Sequence, residues 1–567
     1  MPNRLLAAAV NAPSWTWIIV AGALAHGLLP LTDYVLWDGW WYATDLQRRE
    51  GPTNMSRLFH EIGRPMDLYF YEPLRWSGQD PVLLTKCLGV LAWVTTAVCV
   101  YGVLCRLGSI PKELATATAV LMTTLPVFDI LGDIAIWMNT ACVLLFWLSW
   151  LGMSHLHSTQ GLKGTTIRLA LLCGFFASFN LNSNLVLFYA ICLALAACRA
   201  RSMNFSEARR LVQRNVGRFI DFLLLPIMFW FWKTWFTPTS GVHTEYNQPS
   251  FDAMRLSVGY VSVAIDFLVP CAYEVASCPL ALFFAVFAAA GAIFLVKSGA
   301  PAGIAPSIPH MSPLFLWCMG FVLLLAAAFP YVAVGQPLGS EGWVTRNCIL
   351  CPLPVALMLI AFLLEANRRW IPNFPYAWLV GVVMLAAAGV GACLENYLLY
   401  QAFGIKQLGV QHALHEVIRE TGASVIQLRD YAPIPRTIQA YPPIIWSFIA
   451  SHPPLLPQTL VVETASFAPD NYVIGSNGEL TRFMPRVALN SASVEKCVEQ
   501  TLMAYAFTQV PRRGPQALLA AHATVDSQSH IQRAIRYLWL RWVAPAEASK
   551  RAREFVRTER TLLPDIE

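Results

Sequence analysis

The sequence predicts an all-α polytopic membrane protein with about eleven transmembrane helices, followed by a small C-terminal α/β domain. Of its 567 residues, 56% are hydrophobic and 13% are charged, whereas soluble domains carry roughly a quarter charged residues. The apolar residues form long runs, such as Trp15–Leu31, Leu280–Val296 and Phe315–Ala333. A run of roughly 20 apolar residues crosses a bilayer as a helix, because the backbone there must satisfy its own hydrogen bonds.

The basic residues predict the orientation of these helices. They recur at every second junction between apolar runs, which the positive-inside rule assigns to the cytoplasm. Long outer segments then cover 35–82, 237–278 and the chain after about 401. Residues 256–269 are apolar too, and we interpret them as a helix in the outer interface, because another crossing would break the alternation. The predicted spans are 14–34, 83–105, 113–131, 135–153, 167–180, 184–198, 218–236, 279–297, 313–333, 347–365 and 376–400.

Residues 1–400 therefore form the predicted membrane domain, and 401–567 a separate domain on the outer face. In the latter, His412–Thr421 has helical periodicity and ends at Gly422, a helix-terminating signal. Ser424–Leu428 and Thr459–Glu463 are typical of short strands. The segment Ile531–Trp542 alternates arginine with tryptophan and aliphatic residues, which fits either a headgroup surface or the cover of a small core. Nucleic acid is not an expected partner, since the arginine cluster at 199–218 is one short loop between spans.

The first outer loop contains the strongest candidate for chemistry. Asp33 and Asp38 follow the first apolar run directly, among aromatic residues that include Trp40 and Trp41. A partly buried carboxylate is suited to act as a general base, because burial raises its pKa towards neutral pH. Aromatic rings stack on sugars, but they also form the ordinary belt at a membrane interface. Asp38 is equally able to cap a helix.

This loop resembles that of the GT-C membrane glycosyltransferases, which place an acidic residue just after the first transmembrane helix. The later Gly63-Arg64-Pro65 is similar to an element of bacterial O-antigen glucosyltransferase-like proteins. Those enzymes usually carry adjacent acidic residues, whereas Gly39 follows Asp38 here. The resemblance implies transfer of a sugar from a polyprenyl-phosphate donor to a surface glycan or glycolipid acceptor, at the outer face of a bacterial inner membrane.

The resemblance implies a catalytic base at Asp38, with Asp33 and Asp45 as substitutes. The departing lipid phosphate needs a cation near the outer interface, for which Arg64 and Arg346 are candidates. Snorkelling, or pairing with Glu341, explains Arg346 equally well. A divalent cation is left open as a cofactor, and no residue pattern specifies a metal site. Further candidates for substrate binding on the same side are Asp129, Asp133, Trp40, Trp41 and Asn182.

Two alternatives belong to other classes. A transporter or flippase for a lipid-linked saccharide is expected to carry ionisable groups near the bilayer midplane. In this sequence the acidic residues collect in outer loops, which favours an enzyme. A polysaccharide polymerase or ligase usually has its dominant outer loop late in the chain, and the early position of 35–82 argues against that class.

Overall fold

A computed structural model describes most of the first 422 residues and parts of the remainder. The described residues are 12–36, 38–47, 54–128, 130–156, 161–201, 203–240, 249–297, 311–340, 342–422, 425–431, 460–463, 472–474, 480–482, 516–523 and 530–563. Up to residue 422 all of the described regular structure is helical, which confirms an α-helical, multi-pass membrane architecture.

The helices, numbered here in chain order, begin with α1 just after residue 13. The first nine are α1 Ser14–His26, α2 Gly39–Gln47, α3 Asn54–Glu61, α4 Leu68–Trp76, α5 Pro81–Arg106, α6 Lys112–Thr124, α7 Trp137–Met153, α8 Gly161–Ser178 and α9 Ser183–Ala200. The next eight are α10 Phe205–Arg218, α11 Ile220–Phe236, α12 Ala253–Ser262, α13 Val269–Ser277, α14 Pro279–Lys297, α15 Pro313–Val334, α16 Pro352–Trp370 and α17 Ala377–Thr421. Short 3₁₀ segments occupy Leu29–Leu31, Pro65–Asp67, Ile134–Ile136 and Gly342–Cys348, and a π-helical segment joins α12 to α13.

Seven of the described helical segments are long and apolar enough to cross a membrane, and an eighth is obtained if the bent pair α10–α11 counts as one span. This count is lower than the predicted eleven, because α6, α8 and α16 are too short or too polar to qualify alone, and only Pro279–Phe294 of α14 is fully described. Ala253–Ser277 qualifies, although an interfacial helix was expected there. The seven are Ser14–Leu31, Pro81–Arg106, Ile134–Met153, Ser183–Ala200, Ala253–Ser277, Pro313–Val334 and Ala377–Thr421.

Helix boundaries follow local sequence signals. Pro81 opens α5, and the side chain of Asp80 caps this helix by accepting a hydrogen bond from the Val82 amide at 3.0 Å. Gly422 ends α17 in the left-handed conformation, with φ of 65°, as its position predicted. These signals place helix ends where the chain must turn.

Three of the basic junctions, near residues 107, 156 and 199–218, lie together at one end of the helix bundle. There Arg199 Nε donates to the Leu107 carbonyl at 2.8 Å, and an Arg218 guanidinium nitrogen donates to the Leu156 carbonyl at 3.0 Å. At the opposite end, Lys86 Nζ donates to the Tyr34 carbonyl at 2.8 Å, next to the first long loop. Loops that the sequence assigned to opposite sides are therefore separated in the structure.

The last apolar helix, α17, is 45 residues long and continues through the predicted domain boundary at 400. The predicted span 376–400 and the predicted helix His412–Thr421 are thus parts of one helix. Two further helices, α18 His530–Val543 and α19 Pro545–Phe555, pack against it.

Short strands occur among the described residues after 424. They are β1 Val425–Tyr431, β2 Leu460–Glu463, β3 Tyr472–Ile474, β4 Leu480–Arg482, β5 Gln516–Ala523 and β6 Val556–Leu563. Four of them form a sheet in the order β2-β1-β5-β6, in which β1 is parallel to β2 and β5, and β5 is antiparallel to β6. The chain between these strands lies outside the described residues, so a small α/β domain over 401–567 stays a prediction.

Candidate functional site

A cavity of about 750 Å³ opens at the end of the bundle that carries the first loop. Its walls come from the first loop, the start of α7, the α8–α9 turn, α11, the end of α15 and the 3₁₀ segment Gly342–Cys348. A volume of this size is in the range of small-molecule sites. Four of the residues singled out from the sequence line it: Asp38, Arg64, Asn182 and Arg346.

Asp38 reaches this cavity because the preceding segment, 32–36, is held on several sides. Its carbonyl oxygens accept hydrogen bonds from Lys86 at Thr32 and Tyr34, both at 2.8 Å. Gln407 Nε2 donates to the Val35 carbonyl, also at 2.8 Å. Asp38 itself immediately precedes α2, and its carbonyl accepts the Tyr42 amide at 3.1 Å.

The Asp38 carboxyl has the properties of a general base. The side chain is half-buried, and its Oδ1 is buried without a hydrogen-bond partner among the described residues. Burial raises the pKa of Asp38 to about 6, while the positive charge of Arg346 opposes the increase. At neutral pH the group is therefore ionised and still basic enough to accept a proton.

The Gly63-Arg64-Pro65 element has a clear structural basis. Gly63 terminates α3 with φ of +68°, and a β-carbon there would lie 2.5 Å from the Thr237 carbonyl oxygen. Pro65 begins the 3₁₀ turn Pro65–Asp67, which the fixed φ of proline favours. Between them, the Arg64 side chain is directed into the cavity.

Arg64 forms an ion pair with Asp67, with Nε 2.7 Å from Oδ2. Asp67 is buried, and burial raises its pKa although the charges of Arg64 and Lys233 oppose this. Lys233 Nζ also donates to Asn182 Oδ1 at 2.9 Å. The charges of Arg64 and Lys233 thus both act on the single buried carboxylate of Asp67.

Tyr42 interacts with two charged pairs, Asp38 with Arg346 and Arg64 with Asp67. Burial raises its pKa above the ordinary value, and the charges of Asp38, Arg64, Asp67 and Arg346 all act on it. Asp38 with Arg346 and Arg64 with Asp67 therefore belong to one continuous site. The Glu341 side chain, which was the alternative partner for Arg346, lies outside the described residues.

Another part of the cavity wall is apolar. Ile227, Trp230 and Phe231 of α11 line it together with Phe251 and Phe329. Trp230 and Phe231 are both about half exposed on a helix that belongs to a candidate membrane span. The cavity consequently joins a polar region to a surface suited to contact lipid.

The other predicted site residues have structural contacts elsewhere. Asp33 forms an ion pair with Arg541, and Asp45 accepts a hydrogen bond from the Met55 amide at 3.3 Å. Trp40 and Trp41 are buried in the core, so neither ring faces the cavity. The predicted site residue Asp129 lies outside the described residues.

Asp133 adjoins the site without lining the cavity. Its two carboxylate oxygens accept the Leu36 amide at 2.8 Å and the Ala135 amide at 2.9 Å. It therefore fixes the segment before Asp38 to the start of α7. No group of three or more His, Cys, Asp or Glu side chains in the described part of the chain is arranged to hold a metal ion.

The sequence did not single out Asp67, Lys233 or Tyr42. The sequence does contain a signal for Asp67 and for Lys233. Asp67 follows Arg64 at a three-residue spacing, and Lys233 is the one basic residue of the apolar helix α11, a placement that is costly and often functional. Comparison of the chain with protein-family models, curated proteins and solved structures gives no match.

Proposed function

We propose that this protein is a membrane glycosyltransferase that moves a sugar from a polyprenyl-phosphate donor to a glycan or glycolipid acceptor. The observation that carries the proposal is the shared cavity, which combines the Asp38 carboxylate, two arginines and an apolar, lipid-facing wall. Such a donor needs each of these: a base for the acceptor, cations for the phosphate and an apolar surface for the isoprenoid chain.

In the proposed reaction, Asp38 removes the proton from an acceptor hydroxyl. The oxygen then forms a bond to the anomeric carbon as the bond from that carbon to the phosphate oxygen breaks. The electron pair leaves with the polyprenyl phosphate, whose charge is compensated by Arg64 and Arg346. Fixed cations in a site of low dielectric stabilise such developing charge more strongly than water does.

Sidedness, the type of membrane and the C-terminal part belong to the same proposal. By the positive-inside rule the basic end of the bundle faces the cytoplasm, which puts the cavity at the outer face of a bacterial inner membrane. The chain after residue 401, with its short strands, then forms a small α/β domain on that face.

The test is mass analysis of surface glycans and lipid-linked sugars in cells that carry wild-type protein, Asp38→Asn or no protein. We expect the glycans of Asp38→Asn cells to match those of the deletion, with the transferred sugar missing from the acceptor, while the variant is as abundant as the wild-type protein. Asp80→Asn is the matched control, because Asp80 is an exposed helix cap and asparagine caps equally well.

The same experiment distinguishes the proposed transferase from the alternative, a flippase. A flippase for a lipid-linked saccharide would leave Asp38→Asn cells with the same set of glycans and a redistributed lipid intermediate. Normal glycans in cells with well-expressed Asp38→Asn would contradict the transferase proposal.

A further inference from the structure

Helix α18, His530–Val543, is amphipathic and has one face packed on the protein. Ala534, Tyr537 and Leu538 are buried on the face that packs against α17. On the outward side, Trp539 is 67% exposed and Trp542 is 72% exposed. Within the described part of the chain, this tryptophan-containing surface has no cover.

The helix is fixed at the height where the first span ends. Arg541 donates to the backbone carbonyl of Leu31 at 3.1 Å and forms an ion pair with Asp33. Leu31 is the last residue of the first candidate span, and its own side chain is exposed. The exposed tryptophans therefore lie at the level where the first candidate span ends.

The charge of the helix points to the kind of surface it contacts. Residues 530–543 include three arginines and no acidic residue. Arg541 is used in the contact with Asp33, while Arg536 is exposed. Tryptophan and arginine at the boundary of the hydrocarbon region are typical of helices that lie in the interface, and arginine favours anionic headgroups.

We propose that α18 is a membrane-surface helix, which lies on the headgroup layer beside α1 and binds a bilayer containing anionic lipids. Trp539 and Trp542 enter the region between headgroups and acyl chains, and Arg536 contacts lipid phosphate. This docking surface is separate from the cavity and does not depend on the proposed transferase activity.

The test uses the full-length protein in nanodiscs made from phosphatidylcholine with phosphatidylglycerol. A photo-crosslinking phenylalanine analogue is placed, in separate variants, at Trp539, at Trp542 and at Arg419. Position 419 is the matched control, because it is exposed on α17 far from Asp33. The Asp33 amide donates to Gln401, and residue 419 lies 18 residues beyond Gln401, which corresponds to about 27 Å along the helix axis.

We expect lipid adducts at 539 and 542 at least tenfold above those at 419, and fewer adducts at 542 in the Arg536→Gln background. Crosslinks from both tryptophan positions to peptides of the same chain, with lipid adducts no higher than at 419, would overturn the proposal. Equal lipid labelling in discs of phosphatidylcholine alone would overturn the requirement for anionic headgroups.

Discussion

Gly39 lies directly against the carboxylate of Asp133: a β-carbon at position 39 would be 2.8 Å from Asp133 Oδ2. Both oxygens of that carboxylate are already bonded to backbone amides, at Leu36 and Ala135. The same β-carbon would lie 2.8 Å from the buried Val35 side chain. The residue after Asp38 is therefore restricted to glycine, and the acidic group beside Asp38 comes from a distant part of the chain.

We expect Gly39→Ala to destabilise the protein by about 1–3 kcal/mol, because the added methyl group displaces Asp133 or Val35. Sugar transfer should fall as well, since Asp38 is attached to the displaced segment. Thermal unfolding in detergent measures the first effect. Gly217→Ala is the control: it is helical with no atom within 4 Å of the new carbon, so its stability should stay equal or rise slightly.

The rate of sugar transfer should depend on pH through Asp38. Because burial raises its pKa from 3.8 to about 6, the carboxyl is protonated below that pH and loses its function as a base. Activity should therefore fall as the pH is lowered through about 6, and level off above about pH 7. Initial rates between pH 4.5 and 8 measure this, and a decline that begins only near pH 4 would assign the base to another group.

The pH dependence of sugar transfer in the variant Arg346→Gln tests whether Arg346 acts on Asp38. The Arg346 charge holds the pKa of Asp38 down, so its removal should move the acidic decline of the rate to higher pH. Loss of a cation at the phosphate should also lower the maximal rate by about a hundredfold. Arg346→Lys keeps the charge and should keep the position of the decline. An unchanged pH profile in Arg346→Gln would separate Arg346 from Asp38.

The Arg64–Asp67 pair predicts different outcomes for stability and activity. Arg64→Gln leaves the buried Asp67 without its nearest cation, at a cost of about 2 kcal/mol in the free energy of unfolding. The double variant Arg64→Gln/Asp67→Asn should regain part of that stability, because the unpaired carboxylate is removed while Lys233 keeps its hydrogen bond to Asn182. It should not regain sugar transfer. Recovery of both would show that Arg64 is structural only.

The ion pair between Arg541 and Asp33 should hold α18 in place. Arg541→Ala is expected to cost about 1 kcal/mol, since both side chains retain some exposure, and to speed hydrogen exchange in 530–543. Asp33→Asn should add little to Arg541→Ala, because the two residues share one interaction. Arg551→Ala removes an exposed pair with Glu547 within one helix and should leave exchange in α18 unchanged.

Sequence reasoning was most informative where a pattern repeats along the chain. Apolar runs located the helices, and alternating basic junctions correctly placed Asp38, Arg64, Asn182 and Arg346 at the same end of the bundle. Side-chain partners were harder to predict when they are far apart in sequence. Nothing local indicates that Asp33 pairs with Arg541, because the contact depends on how α18 returns to α17.

Aromatic residues were ambiguous for a different reason. Trp40 and Trp41 fit a sugar platform, an interfacial belt and a core equally well by composition, and only tertiary packing shows that they are buried. The number of candidate spans differs from the prediction for a related reason, since a short apolar helix such as α6 is buried among its neighbours and does not qualify by length. A buried helix and a spanning helix have the same apolar character.

The length of α17 has a mechanical consequence. Its 45 residues extend about 67 Å, roughly twice the thickness of a hydrocarbon core. The helix is therefore long enough to extend well beyond the bilayer. Gln401, near its middle, accepts the Asp33 amide at 2.7 Å, and Gln407 binds the Val35 carbonyl. A tilt of the part of α17 beyond the bilayer is therefore expected to move the segment 32–36, which positions Asp38.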